Sequence, residues 1–195
     1  MLLGFCVQMK LREFLSEKRA AIREKWFDSI LASYPADTSN FLKSHKDKFT
    51  NPVGSAIAGA VDGILGELIE GGRLPAEAGA APGYLDDIIR IRAVQGFTAS
   101  EAVSFVLALK KIIRAEVGGG KEAGGLLGEM PGLEDRIDAL ALLSFDIYMR
   151  CREKVYDLKA NELRQRTFRL LQRAGLQEVP EEPVSPENNN KERGR

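Results

Sequence analysis

Apolar residues recur along this chain three and four positions apart, and no stretch alternates in the manner of a strand. The pattern predicts an all-α fold. A first helix is predicted over residues 11–34, with Phe14, Leu15, Ile22, Trp26, Ile30 and Leu31 as its apolar stripe and Pro35 as its stop. Residues 36–51 read as a polar connection with a short helix around 41–45. Asn51-Pro52 then opens a helix to about residue 70: Asn caps the free amides, and proline in the first turn has no amide to lose. After a loop rich in Ala, Pro and Gly over 73–83, a helix follows over 84–95 with Leu85, Ile88, Ile89 and Ile91 as its apolar positions. Thr98-Ala-Ser-Glu101 matches a capping box and opens a helix carrying Val103, Val106, Leu107, Leu109, Ile112 and Ile113, which stops at Gly118-Gly119-Gly120. A glycine-rich loop to Pro131 leads into one long helix over 133–173. Its inward positions are Ile137, Leu140, Ser144, Ile147, Cys151, Val155 and Leu158.

The 195 residues fit one domain, since domains average roughly 150 residues. That domain is expected over residues 10–173. Residues 1–9 read as an apolar extension, with Met9 the plainer natural start, because charged, helix-periodic sequence begins at Lys10. The extension has no basic leader and is too short for a membrane span, so no span is expected. From 174 to 195 the composition turns to Pro, Glu and Asn and predicts a disordered tail. Cys6 and Cys151 lie far apart in a chain that needs no disulfide staple, and they read as reduced thiols of a cytoplasmic protein.

Charge and composition remove several chemistries. The 28 Lys+Arg balance 28 Asp+Glu, so no global field gathers nucleic acid. One histidine and two cysteines cannot build a multi-imidazole or all-thiolate metal site. Gly118-Gly-Gly-Lys121 follows a helix and has Glu122 where a phosphate loop needs Ser or Thr, so it reads as a helix stop. His45 sits among Lys43, Ser44, Lys46, Asp47 and Lys48 and reads as solvated, with an axial haem ligand as the sharper alternative. Asp86, Asp87, Glu134, Asp135 and Asp138 fall near helix starts, where they complement the helix dipole. No catalytic residue, metal or cofactor is assigned. The basic stretch 150–173 reads as a solvated helix face, with an acidic partner as the alternative.

The most informative local feature is Gly59, Gly63 and Gly66 at i, i+4 and i+7, with Ala56 extending the stripe. Three interior glycines cost a helix roughly 2–3 kcal/mol against alanine. Either another helix crosses closely, or the missing side chains leave room for a ligand. In the second case the lining is Gly59, Gly63 and Gly66 with Ile88, Phe97 and Phe105.

Four segments in order resemble the N-terminal domain of the RsbT co-antagonist proteins, the RsbRD or RsbR-type domain. They are Phe49-Thr-Asn-Pro-Val-Gly54; Leu85-Asp-Asp-Ile-Ile-Arg-Ile-Arg-Ala-Val94; Phe97-Thr-Ala-Ser-Glu-Ala102 leading to Lys110-Lys111; and Arg136-Ile-Asp-Ala-Leu-Ala141 through Phe145-Asp-Ile-Tyr148 to Arg152-Glu153. The resemblance covers about residues 10–165. It implies a globin-like helical bundle without haem, and a homodimer that senses or relays stress in the control of an alternative sigma factor. In relatives a linker helix leads into a phosphorylatable STAS module. Here only the tail follows, so the expectation is a stand-alone, non-enzymatic sensor or adaptor with an unidentified regulatory protein partner and a small-molecule signal. The expected partner seam is Ile147, Cys151, Val155 and Leu158. The alternative is a small-ligand- or haem-binding globin-like protein.

Overall fold

A computed structural model describes residues 10–44, 49–70, 80–118 and 123–175, and every element among them is helical. His45, Lys121, the apolar extension and nearly all of the expected tail lie outside the described residues. The chain divides into two compact units, Met1–Val155 and Tyr156–Arg195.

The first predicted helix is two helices, α1 (Leu11–Glu17) and α2 (Arg19–Leu31). Lys18 between them leaves helical geometry at φ −89° and ψ 2°. Two residues earlier the Ser16 hydroxyl donates to the Arg12 carbonyl at 2.9 Å, a back-bond of the kind that bends helices. The interruption costs no burial: Leu11, Phe14 and Leu15 of α1 and Ile22, Trp26, Ile30 and Leu31 of α2 all enter the core. α2 then closes through tightened bonds from Ser33 to Ile30 and from Tyr34 to Leu31, before Pro35.

Pro35 stops α2 and also starts α3 (Ala36–Ser44), which is longer than the short helix expected around 41–45. The Pro35 carbonyl accepts from the Ser39 amide at 2.9 Å. Asn51 then links two helices. Its Nδ2 donates to the Leu42 carbonyl in the last turn of α3 at 2.8 Å, and its Oδ1 accepts from the Gly54 amide in the first turn of α4 (Pro52–Glu70) at 2.8 Å. A Cβ on Gly54 would collide with that Asn51 side chain.

α4 is long and apolar enough to cross a bilayer by length and composition, but Ile57, Val61, Ile64, Leu65 and Leu68 are buried in the core. It packs against α2 and against α5 (Ala81–Val94). Gly96 turns the chain out of α5 at φ +86°, a conformation that glycine adopts without strain. At α6 (Ala99–Gly118) the expected capping box is present: Thr98 Oγ1 accepts from the Glu101 amide at 3.3 Å, and Glu101 Oε2 accepts from the Thr98 amide at 2.9 Å.

The glycine-rich segment expected as a loop contains a helical turn, α7 (Ala123–Leu126), and α8 (Met130–Arg173) starts at Met130 instead of 133. Pro131 falls in the first turn of α8, where its missing amide is no loss. Two ion pairs tie α6 to α8: Lys110 to Asp138 at 2.6 Å, and Arg114 to Glu134 through two bonds of 2.5 and 2.7 Å. Arg136 of α8 donates to the Glu67 and Leu68 carbonyls at 3.0 and 2.9 Å, capping the last turn of α4. In the unit Tyr156–Arg195, residues 156–173 are the last turns of α8, and every one of them is exposed.

The glycine row of α4 settles the packing question at Gly63, where a methyl group would overlap the Tyr84 ring of α5. At Gly66 a methyl group would meet the Arg19 guanidinium at an ordinary contact distance of 3.4 Å, and that guanidinium donates to the Asp62 carbonyl at 3.2 Å. Gly63→Ala therefore gains about 1 kcal/mol of helix propensity but displaces a ring. The expected outcome is a coupling: the substitution stabilises a Tyr84→Ala background by about 1 kcal/mol and gives no gain in the native chain. Urea melts of the four proteins measure it, and equal effects in both backgrounds would show that the two residues do not touch.

Candidate functional site

Row positions Leu85, Ile88, Ile89, Arg92 and Ala93 of α5 all point inward, so a guanidinium travels with the aliphatic side chains into the core. Arg92 is 0% exposed. Its Nη1 donates to the Glu101 carbonyl at 2.8 Å, and its Nη2 donates to the Ile30 carbonyl at 3.1 Å and to Ser33 Oγ at 2.7 Å. Three rings surround the cation, with its Cζ 5.6 Å from the Tyr34 centroid, 5.0 Å from Phe97 and 5.3 Å from Phe105. Tyr34 and Phe97 also meet edge to face at 5.2 Å. Among the described residues no carboxylate hydrogen-bonds this charge; neutral acceptors and ring faces compensate it, with a weaker electrostatic contribution from Glu101. Burial pushes the Arg92 pKa below the usual guanidinium range and the Tyr34 phenol above its own. Two buried donors, Arg92 Nε and Tyr34 Oη, have no hydrogen-bond partner among the described residues.

Around this core the corner between α5 and α6 is gripped from outside. Tyr148 Oη donates to the Phe97 carbonyl at 2.7 Å, and Arg152 Nη1 donates to the Ala93 carbonyl at 3.1 Å. Both donors stand on α8, one turn apart. Trp26 contributes a third such bond from α2, its indole N–H donating to the Phe105 carbonyl at 2.7 Å while its ring stacks on Phe105.

Of the residues expected to line a cavity, Phe97 and Phe105 are brought together on Arg92. Gly59 is exposed with nothing near its missing side chain; Gly63 and Gly66 receive Tyr84 and Arg19. Ile88 and Phe105 are core residues, and Phe97 packs with Phe105 on Arg92. A groove of about 530 Å³ lies elsewhere, between α2, α3 and the start of α4. Phe27, Leu42 and Val61 line it with the small residues Ala20, Gly54, Ser55 and Ala58, and Arg23, Glu24 and Lys43 carry its charge. None of the expected lining residues borders it.

The seam expected on α8 divides. Ile147 is 2% exposed and serves the domain's own core, Cys151 and Val155 are half-buried, and Leu158 is 70% exposed. Desolvation, with Asp86 nearby, pushes the Cys151 thiol above its usual range, away from reactive thiolate character. Among the carboxylates, Asp86 pairs with Arg90, Glu134 with Arg114 and Asp138 with Lys110. The Arg114 guanidinium holds the Glu134 carboxyl below its ordinary range, the opposite of what a general acid needs. Among the described residues no group of three His, Cys, Asp or Glu is placed to hold a metal ion.

Sequence reasoning missed Arg92. The signal was present, since position 92 falls seven residues after Leu85 and four after Ile88, on a row otherwise aliphatic. Arg92→Ala removes three hydrogen bonds and hollows the space between three rings, so a loss of about 3–5 kcal/mol is expected in urea melts. Tyr34→Phe reads out differently. A phenol whose folded pKa is raised contributes stability that is intact below the unfolded value near 10.0 and is lost as pH rises towards the folded value. The native chain should therefore lose stability more steeply above pH 10 than the Tyr34→Phe variant, and parallel pH profiles would contradict the assignment.

Neither curated proteins nor solved structures gave a match to this chain. One family model does match, that of the RsbT co-antagonist protein rsbRD N-terminal domain, over residues 20–163. This span takes in the buried Arg92 with its rings and the α8 donors that hold the α5–α6 corner, and the chain belongs to that family.

Proposed function

We propose that this chain is a non-enzymatic sensor or relay domain of stress signalling that works through protein–protein contacts, including pairing with a second copy of itself. One observation carries the reading: the interior is closed by the domain's own side chains while α8 leaves apolar side chains in solvent. Tyr84 occupies the space over Gly63, and Arg92 fills the space between Tyr34, Phe97 and Phe105. The described carboxylates of the expected set that make contacts are engaged in ion pairs, and the Cys151 thiol is held in its protonated form. Such a domain has little to offer a reaction and much to offer a partner. Family membership supports a stress-signalling role, with any connection to a sigma-factor pathway part of this proposal.

Self-pairing uses the row Cys151, Val155 and Leu158, with Leu158 as its most exposed member. Burying a leucine side chain that otherwise meets water contributes about 1.5–3 kcal/mol, so a glutamate at that position removes an anchor and inserts a charge. Light scattering on the full chain at tens of micromolar should give twice the chain mass, and Leu158→Glu should give the mass of one chain with helicity unchanged. A native chain that scatters as a single copy would overturn the pairing.

A further inference from the structure

Residues 156–173 of α8 carry a second apolar row, distinct from the expected seam. Tyr156, Leu163 and Leu170 are spaced seven apart, with Ala160 and Thr167 between them, so the positions 156, 160, 163, 167 and 170 alternate steps of four and three. That spacing is the seam of a two-helix coiled coil. Tyr156 is 58% exposed, Leu163 66% and Leu170 64%. Leu158 lies about 160° round the helix from Tyr156, so this row is a face separate from the one assigned to self-pairing.

The charges beside the row choose its occupant. One flank carries Lys159, Arg166 and Arg173; the other carries Asp157, Arg164 and Leu171. Over residues 156–173 five basic side chains stand against two acidic ones, and the Arg166–Glu162 pair at 2.5 Å offsets one of each, leaving four basic against one acidic. A second copy laid on this row meets repulsion in either direction. Running parallel, it brings Lys159 against Arg164; running antiparallel, it brings the row Lys159, Arg166 and Arg173 against itself. A helix with the same apolar spacing and acidic flanks meets neither problem. The narrow seam, with Ala160 and Thr167 on its midline, suits a helix better than a bilayer surface, which takes a broad apolar face rich in large side chains. We infer that the row Tyr156–Leu163–Leu170 is a docking surface for an acidic amphipathic helix of another protein.

The test uses the full chain and three fluorescent peptides: a four-heptad helix with leucine seams and glutamate flanks, the same helix with lysine flanks, and residues 153–173 of this chain. Anisotropy should show the glutamate-flanked peptide binding at least about tenfold more tightly than either other peptide, with affinity falling as salt is raised. Leu163→Glu with Leu170→Glu should abolish binding. Lys159→Glu with Arg166→Glu should reverse the preference towards the lysine-flanked peptide. All four positions are exposed, and circular dichroism confirms that helix content is retained. Equal binding of both designed peptides, or binding of neither, overturns the inference. So does tightest binding of the 153–173 peptide, which would make a second copy the occupant, or binding of anionic phosphatidylglycerol vesicles without binding of the acidic peptide. The Leu158→Glu variant should bind the acidic peptide as the native chain does, so failure of self-pairing and failure of this docking surface are separable.

Discussion

A positive charge sealed inside a helical core, hydrogen-bonded among the described residues by neutral acceptors alone, constrains much of this fold. Arg92 must find acceptors, and those within reach are backbone carbonyls and one hydroxyl. Satisfying them fixes the end of α2 through Ile30 and Ser33 and the start of α6 through Glu101. The rings of Tyr34, Phe97 and Phe105 supply the remaining compensation by turning their negative faces to the cation. Three segments distant in sequence are thereby held to one centre, and apolar packing alone would be less particular about their registration.

The same economy of space governs the contact between α4 and α5. Glycine at 63 lets a tyrosine ring lie where a methyl group would stand, whereas the Arg19 guanidinium beside Gly66, which reaches the Asp62 carbonyl, would meet a methyl group at ordinary contact distance. The helix loses propensity at 63 and gains a close contact in return. Arg136 then satisfies carbonyls in the last turn of α4, and Asn51 satisfies an amide in its first. A helix weakened in its interior is thus secured at both ends.

Helix boundaries set by short-range chemistry were legible in the sequence. Asn51-Pro52 and the Thr98–Glu101 box lie where expected, because a cap is an interaction between residues three apart. The break at Lys18 was not legible, since it depends on one residue's backbone angles inside an otherwise regular stripe. Pro35 was read as a stop and is also a start, a role decided by whether α3 finds a surface for Leu42. The glycine row announced a close approach without naming the visitor, because Tyr84 and Arg19 come from other helices. Arg92 was visible as a charge on a buried row, but its three rings lie on three different segments. The inward row of α8 was right through Ile147 and faded beyond it, because periodicity identifies a face without saying where its cover ends.

Tyr148 and Arg152 act on the corner mechanically. They stand one turn apart on α8 and hold two different carbonyls of the α5–α6 corner. Burial of Ile147 already seats that stretch of α8, and the two bonds add a directional tie that apolar packing lacks. A backbone shift at the corner would therefore be resisted at two points along one helix.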